Sequence, residues 1–134
     1  MIKRFGIFIA AAFAVAGSGH AADPQNIHLR IENASEVSIR CVMVLAHFVT
    51  KDMPPIPSGS SYTTTLIRDP DQGTLSYGSF DDHPMMLENL LCGSLSDWTT
   101  TSRDLPILNL RSAEATRFHF QCTLQDERLA CATR

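Results

Sequence analysis

Ser38-Ile39-Arg40-Cys41-Val42-Met43-Val44-Leu45-Ala46-His47-Phe48-Val49-Thr50 is the stretch on which the fold turns. Val37, Ile39, Cys41, Met43, Leu45, His47 and Val49 share one face of an extended chain. On the other face Ser38 and Arg40 give way to Val42, Val44, Ala46 and Phe48. Alternation that turns apolar on both sides predicts a strand running into a covered core. The strand carries Cys41 and His47 on the same side of its pleat.

On the N-terminal side, Ile27, Leu29 and Ile31 alternate with His28, Arg30 and Glu32, the pattern of a half-buried strand. Asn33-Ala34-Ser35-Glu36 supplies turn chemistry between the two. On the C-terminal side, residues 51–60 hold three prolines, which cannot donate to a ladder, so they predict a loop with Gly59 at a positive-φ turn. Residues 62–68 read as a strand, 69–73 as a turn and 74–80 as a further strand. Pro84 and Gly93 bracket Met86, Leu87, Leu90 and Leu91 at helical spacing, which predicts one short helix over 84–92, with a buried strand as the alternative. A polar loop around Trp98, a short apolar strand over 105–110 and a turn over 111–115 follow. In residues 117–124 alternation places Phe118, Phe120, Cys122 and Leu124 inward.

The first 21 residues read as a cleavable signal peptide. Lys3 and Arg4 precede an apolar run over 5–16, and cleavage after Ala21 is favoured over Ala22. The run is shorter than the roughly 20 residues a membrane span needs, so no membrane insertion is expected after cleavage. Residues 22–134 form one domain. Loss of Lys3 and Arg4 leaves 9 basic against 14 acidic residues, a net charge of −5. An acidic chain without Lys/Arg clusters argues against nucleic acid as a partner.

Cys41, Cys92, Cys122 and Cys131 make an even set in a small exported chain, the composition of a disulfide framework. If Asp126-Glu127 forms a two-residue hairpin loop, Leu124 faces Leu129 and Cys122 faces Cys131 at non-hydrogen-bonded positions, where side chains approach most closely. That predicts Cys122–Cys131, and Cys41–Cys92 as the second bridge. The whole is expected to be an all-β fold, a small disulfide-stabilised antiparallel sandwich (immunoglobulin-like or cupredoxin-like) or a barrel.

Such a chain is expected to be a periplasmic or secreted binding or accessory protein that serves a protein partner or small ligand without catalysis. No Gly-x-Ser-x-Gly elbow marks a hydrolase. The soft donors His47, Met53, His83, Met85 and Met86 suit Cu(I). Their order, with Ile56-Pro57-Ser58-Gly59 between, resembles the small periplasmic Cu(I) chaperones, which implies copper binding as an alternative function. Phe48 stands where that family has Met, and the interval from Met53 to His83 is longer than in its pattern. Ser58-Gly59-Ser60-Ser61-Tyr62 resembles the contact loop of periplasmic inhibitors of c-type lysozyme, which implies an interaction site at Ser58, Gly59 and Tyr62. The second motif of those inhibitors has no counterpart over 74–80. Trp98 is read as a core plug or as an anchor for a partner, and His28 and His119 as outward residues of amphipathic strands.

Overall fold

The computed structural model describes residues 22–78 and 83–134, with Ala14, Gly17 and Gly19. The signal-peptide reading, and the end of the strand predicted over 74–80, therefore lie outside the described residues. The elements are β1 (Gln25–Asn33), β2 (Ile39–Leu45), β3 (Val49–Asp52), β4 (Ser61–Asp69), β5 (Thr74–Tyr77), β6 (Met85–Ser94), α1 (Trp98–Thr101), β7 (Arg103–Asp104), α2 (Leu108–Ser112), β8 (Arg117–Gln125) and β9 (Arg128–Thr133). The strands join in one sheet of order β3-β2-β6-β5-β4-β1-β8-β9, with β7 paired to β6. The sheet curls until β9 lies beside β6 and β7. All pairings are antiparallel except β1 with β8, so the sheet is mixed where an antiparallel one was expected.

The core is built by the inward half of each strand. Ile27, Leu29 and Ile31 of β1 pack with Leu66, Leu75, Phe120 and Leu129 from one part of the sheet. Ile39, Met43, Leu45, Leu87 and Leu90 come from the other. Both predicted disulfides are present, each bridging directly opposed residues of neighbouring strands: Cys41–Cys92 between β2 and β6, and Cys122–Cys131 between β8 and β9. Asp126 and Glu127 both take positive φ, 49° and 62°, as a two-residue type I′ loop requires, and Gln125 pairs with Arg128 across them.

Three expectations are corrected. Residues 38–50 are not one strand. β2 stops at Leu45, the chain reverses through Ala46-His47-Phe48, and β3 returns along β2 with Val49 opposite Leu45. Residues 45 and 49 face the same way in a continuous strand and also in a hairpin with a three-residue loop, so alternation is blind to the difference. His47 consequently leaves the core and sits exposed at the tip.

Residues 84–92 are strand rather than helix. Between Val44↔Asn89 and Leu45↔Leu87 the register slips by one residue at Glu88. This bulge changes the parity, so Leu87 and Leu90 both point inward. An inward pair at i and i+3 is what imitated a helix. Gly93, expected to end that helix, lies in the strand, where a Cβ would come within 2.9 Å of the Ser102 Cα, so the close approach of Ser102 requires glycine there.

Residues 105–110 are not a strand. Pro106 has no N–H for a ladder, and Leu105 bonds back to Leu90 O before the chain turns into α2. The polar loop around Trp98 also holds the single turn of α1, capped by Asp97, whose side chain accepts from Thr100 N.

Candidate functional site

The residues singled out from sequence are dispersed. Met53 is a core residue, 5% exposed, whose N–H donates to Cys41 O. His47 stands at the other end of the same hairpin, beyond Leu45. Four residues of strand separate the two positions, about 13 Å at the usual rise. Met85 and Met86 open β6 as successive residues, so their side chains take opposite faces of the sheet. Met85 packs on the core, whereas Met86 and the neighbouring His83 are exposed. Among the described residues no group of three or more His, Cys, Asp or Glu is placed to hold a metal ion.

Ser58, Gly59 and Ser60 are exposed, but their loop is strapped down. Pro57 O accepts from Ser60 N, with Gly59 at φ 74°, the third position of a type II turn. Gly59 N donates to Asn33 O, and Ser58 Oγ to Ser35 O. Asn33 is fully buried and organises this corner. Its Nδ2 donates to Val37 O and Ile56 O at 2.7 and 2.8 Å, and its Oδ1 accepts from the N–H and hydroxyl of Ser35. Tyr62 packs its ring on the core. Trp98 is half-buried, with the Arg40 guanidinium 4.8 Å from its ring centroid. Arg40 also donates to Asp52 at 2.7 Å, and this hydrogen bond holds the Asp52 carboxyl below the usual carboxylate range.

The concentration of chemistry lies elsewhere, on the outer face of β4, β1 and β8. The parallel ladder sets His28 opposite Arg117 and Arg30 opposite His119, while β4 sets Thr65 and Thr63 on the other side. His28, Arg30, Thr63, Arg117 and His119, with Phe118 and Arg134, line a shallow depression of about 310 Å³. Three arginines and two histidines thus converge, and no acidic residue lines the depression.

Arg30 spends only Nε, on Ser61 Oγ at 3.2 Å. Its two terminal nitrogens, and all donors of Arg117, have no protein acceptor among the described residues. Arg30 and Arg117 are diagonal neighbours, with Cα atoms about 7–8 Å apart, close enough for their guanidinium groups to share one oxyanion. Glu32 borders the depression at 2.7 Å from His119 Nε2 and 3.7 Å from Arg134 Nη1. Burial opposes ionisation of Glu32. The neighbouring His119, Gln121 and Arg134 side chains outweigh it, and the carboxyl is held below its ordinary range.

A second arginine feature is internal. Arg68 is 2% exposed and faces the interior in the alternation Tyr62, Thr64, Leu66, Arg68. Its Nε and Nη2 donate to Gln25 Oε1 at 3.0 and 2.7 Å, and Nη1 donates to Leu110 O at 2.9 Å. No carboxylate pairs with it among the described residues. It fastens α2 and the start of β1 to β4, which is a structural task.

Sequence reading passed over the outer face because the arginines come from segments nearly ninety positions apart, and only the parallel β1–β8 pairing joins them. The available signal was the outward parity of His28, Arg30, Arg117 and His119.

No family model matches the chain, and no curated protein does. Among solved structures it is similar to the NMR structure of a protein from Eubacterium rectale, at 5% identity and a TM-score of 0.47, over 81% of this chain and 87% of that one. It is also similar to a chain described as a trapped toxin, at 8% identity and a TM-score of 0.30, over 82% of this chain and 24% of that one. Neither likeness is close enough to bear on function.

Proposed function

We propose that the chain is an exported, non-catalytic binding protein whose ligand carries an oxyanion and seats on the outer face of β4, β1 and β8. The observation that supports this reading is the pairing of unspent guanidinium donors on Arg30 and Arg117 in a depression without acidic lining. Arginine presents a planar fork that matches carboxylate, sulfate and phosphate, and such charge-assisted bonds are about twice as strong as neutral ones. A cationic patch on a chain of net negative charge also concentrates anions locally. At about 310 Å³ the depression is at the small end for ligand sites, the size of one anionic group with a sugar-sized neighbour.

Isothermal titration of the mature protein with inorganic phosphate, inorganic sulfate and a sulfated tetrasaccharide tests the proposal. Binding that weakens with salt and falls at least tenfold in Arg30→Gln/Arg117→Gln is the expected result. If only the tetrasaccharide binds, the ligand is a glycan-borne sulfate; if the free ions bind as well, the oxyanion alone suffices. Binding that the double variant leaves intact, or none at millimolar ligand, refutes it.

A further inference from the structure

We infer that the anion held on the β4–β1–β8 face is taken up together with a proton, so that capture strengthens in mildly acid surroundings and release follows as the pH rises. This regulation rests on the oxyanion reading of the same face. The parallel ladder places His28 opposite Arg117 and Arg30 opposite His119. These four positions form one block of the sheet, with the arginines on one diagonal and the histidines on the other. An anion seated between the two guanidinium groups is therefore seated between the two imidazoles as well, and all four side chains line the same depression.

The two diagonals answer pH differently. A guanidinium keeps its charge at any pH a protein survives, whereas histidine is the side chain that changes charge between about pH 5 and 8. An anion close to an imidazole favours the charged ring, and by linkage the charged ring binds the anion more tightly. Neither ring loses a hydrogen-bond partner on gaining a proton. His28 Nδ1 lies 3.5 Å from Thr65 Oγ1, and a hydroxyl both donates and accepts. His119 Nε2 lies 2.7 Å from a Glu32 carboxylate oxygen, an acceptor. The surrounding strands determine which charges face each ring. His28 meets Arg117 from β8 and Arg30 on its own strand, while β4 presents the hydroxyls of Thr63 and Thr65. His119 meets Glu32 and Arg30 from β1, Arg134 just past the end of β9, and Arg117 on its own strand. Carboxylates are ionised above about pH 5, and Glu32 is held below even the ordinary range. Above that pH the two histidines are thus the groups of this face that take up the proton.

Inorganic sulfate and the sulfated tetrasaccharide are the probes, because a sulfate keeps its charge over this range whereas phosphate takes up a proton of its own. Isothermal titration of residues 22–134 in two buffers of different ionisation enthalpy counts the protons that accompany binding. Net proton uptake near pH 6.5 is expected, with affinity about fivefold higher at about pH 5.5 than at about pH 7.5. His28→Gln/His119→Gln should show no uptake and the same affinity at both pH values. Binding without proton uptake, or uptake unchanged in a folded double variant, overturns the inference and leaves the oxyanion reading standing. No binding of either probe at either pH overturns both. Should the double variant fail to fold, the imidazole Cε1–H resonances of the native chain decide: sulfate should raise their titration midpoints, and midpoints that do not move overturn the inference.

Discussion

Replacing each cystine by two alanines separates what the bridges do to the unfolded chain from what they do to the fold. Cys122 and Cys131 are nine positions apart, Cys41 and Cys92 fifty-one. Chain-entropy arguments give about 2.6 kcal/mol for the short loop and about 4 kcal/mol for the long one. The Cys41→Ala/Cys92→Ala variant should thus lose roughly 1.5 kcal/mol more than Cys122→Ala/Cys131→Ala. For a chain of this size 1 kcal/mol corresponds to about 4 °C, so the melting temperatures should fall by about 16 and 10 °C. Alanine is the right replacement because Cys41, Cys92 and Cys122 are wholly buried, where a serine hydroxyl would need a partner. Guanidinium unfolding followed by circular dichroism reads the difference. An equal loss, or a larger one for the short loop, would refute the entropic reasoning and put the stabilisation in native packing at the hairpin.

Arg68→Ala should cost about 3–4 kcal/mol, since it strands the buried Leu110 carbonyl and empties the space of the arginine stem. Arg68→Met keeps the stem volume and removes a charge buried without a counter-ion, so it should cost about half as much; equal losses in denaturant titrations would contradict this. Phe48 is 94% exposed and held at φ 61°, an unfavourable conformation costing an L-residue about 1–2 kcal/mol. Phe48→Gly, after glycine's larger unfolded-state entropy, should stabilise by about 0.5–1 kcal/mol, and a fall in melting temperature would contradict it. The Glu32 carboxyl is depressed in the folded state. Its contribution is therefore complete above the unfolded carboxylate range, near pH 4–4.5, and is lost as pH falls through the lower folded value. Glu32→Gln should flatten the acid limb of a stability–pH profile; an unchanged limb would place the acid sensitivity elsewhere.

What was legible in the sequence was whatever depends on local parity. β1 follows from its own alternation, the β8–β9 hairpin and Cys122–Cys131 from alternation counted outward from Asp126-Glu127, and Cys41–Cys92 is then the pair left over. Parity failed where one residue was inserted or a turn preserved it. The bulge at Glu88 mimicked a helix, and the three-residue reversal at Ala46-His47-Phe48 concealed a hairpin and moved His47 from core to surface. The soft-ligand residues looked like a set because of their donor chemistry and their order along the chain, yet the strands that carry them set Met53 in the core and His47 at a tip. The cationic face was hidden for the converse reason: Arg30 and Arg117 meet only through a long-range parallel pairing that no local pattern announces.

The central claim is that this face takes an anion. Amide chemical-shift mapping of residues 22–134 during titration with inorganic phosphate, and with the sulfated tetrasaccharide, tests it most directly. The account predicts saturable shifts clustered at residues 28–32, 61–65 and 117–121, absent in Arg30→Gln/Arg117→Gln. Shifts centred on the 46–48 tip or the 83–86 segment, or none on the β4–β1–β8 face, would contradict it.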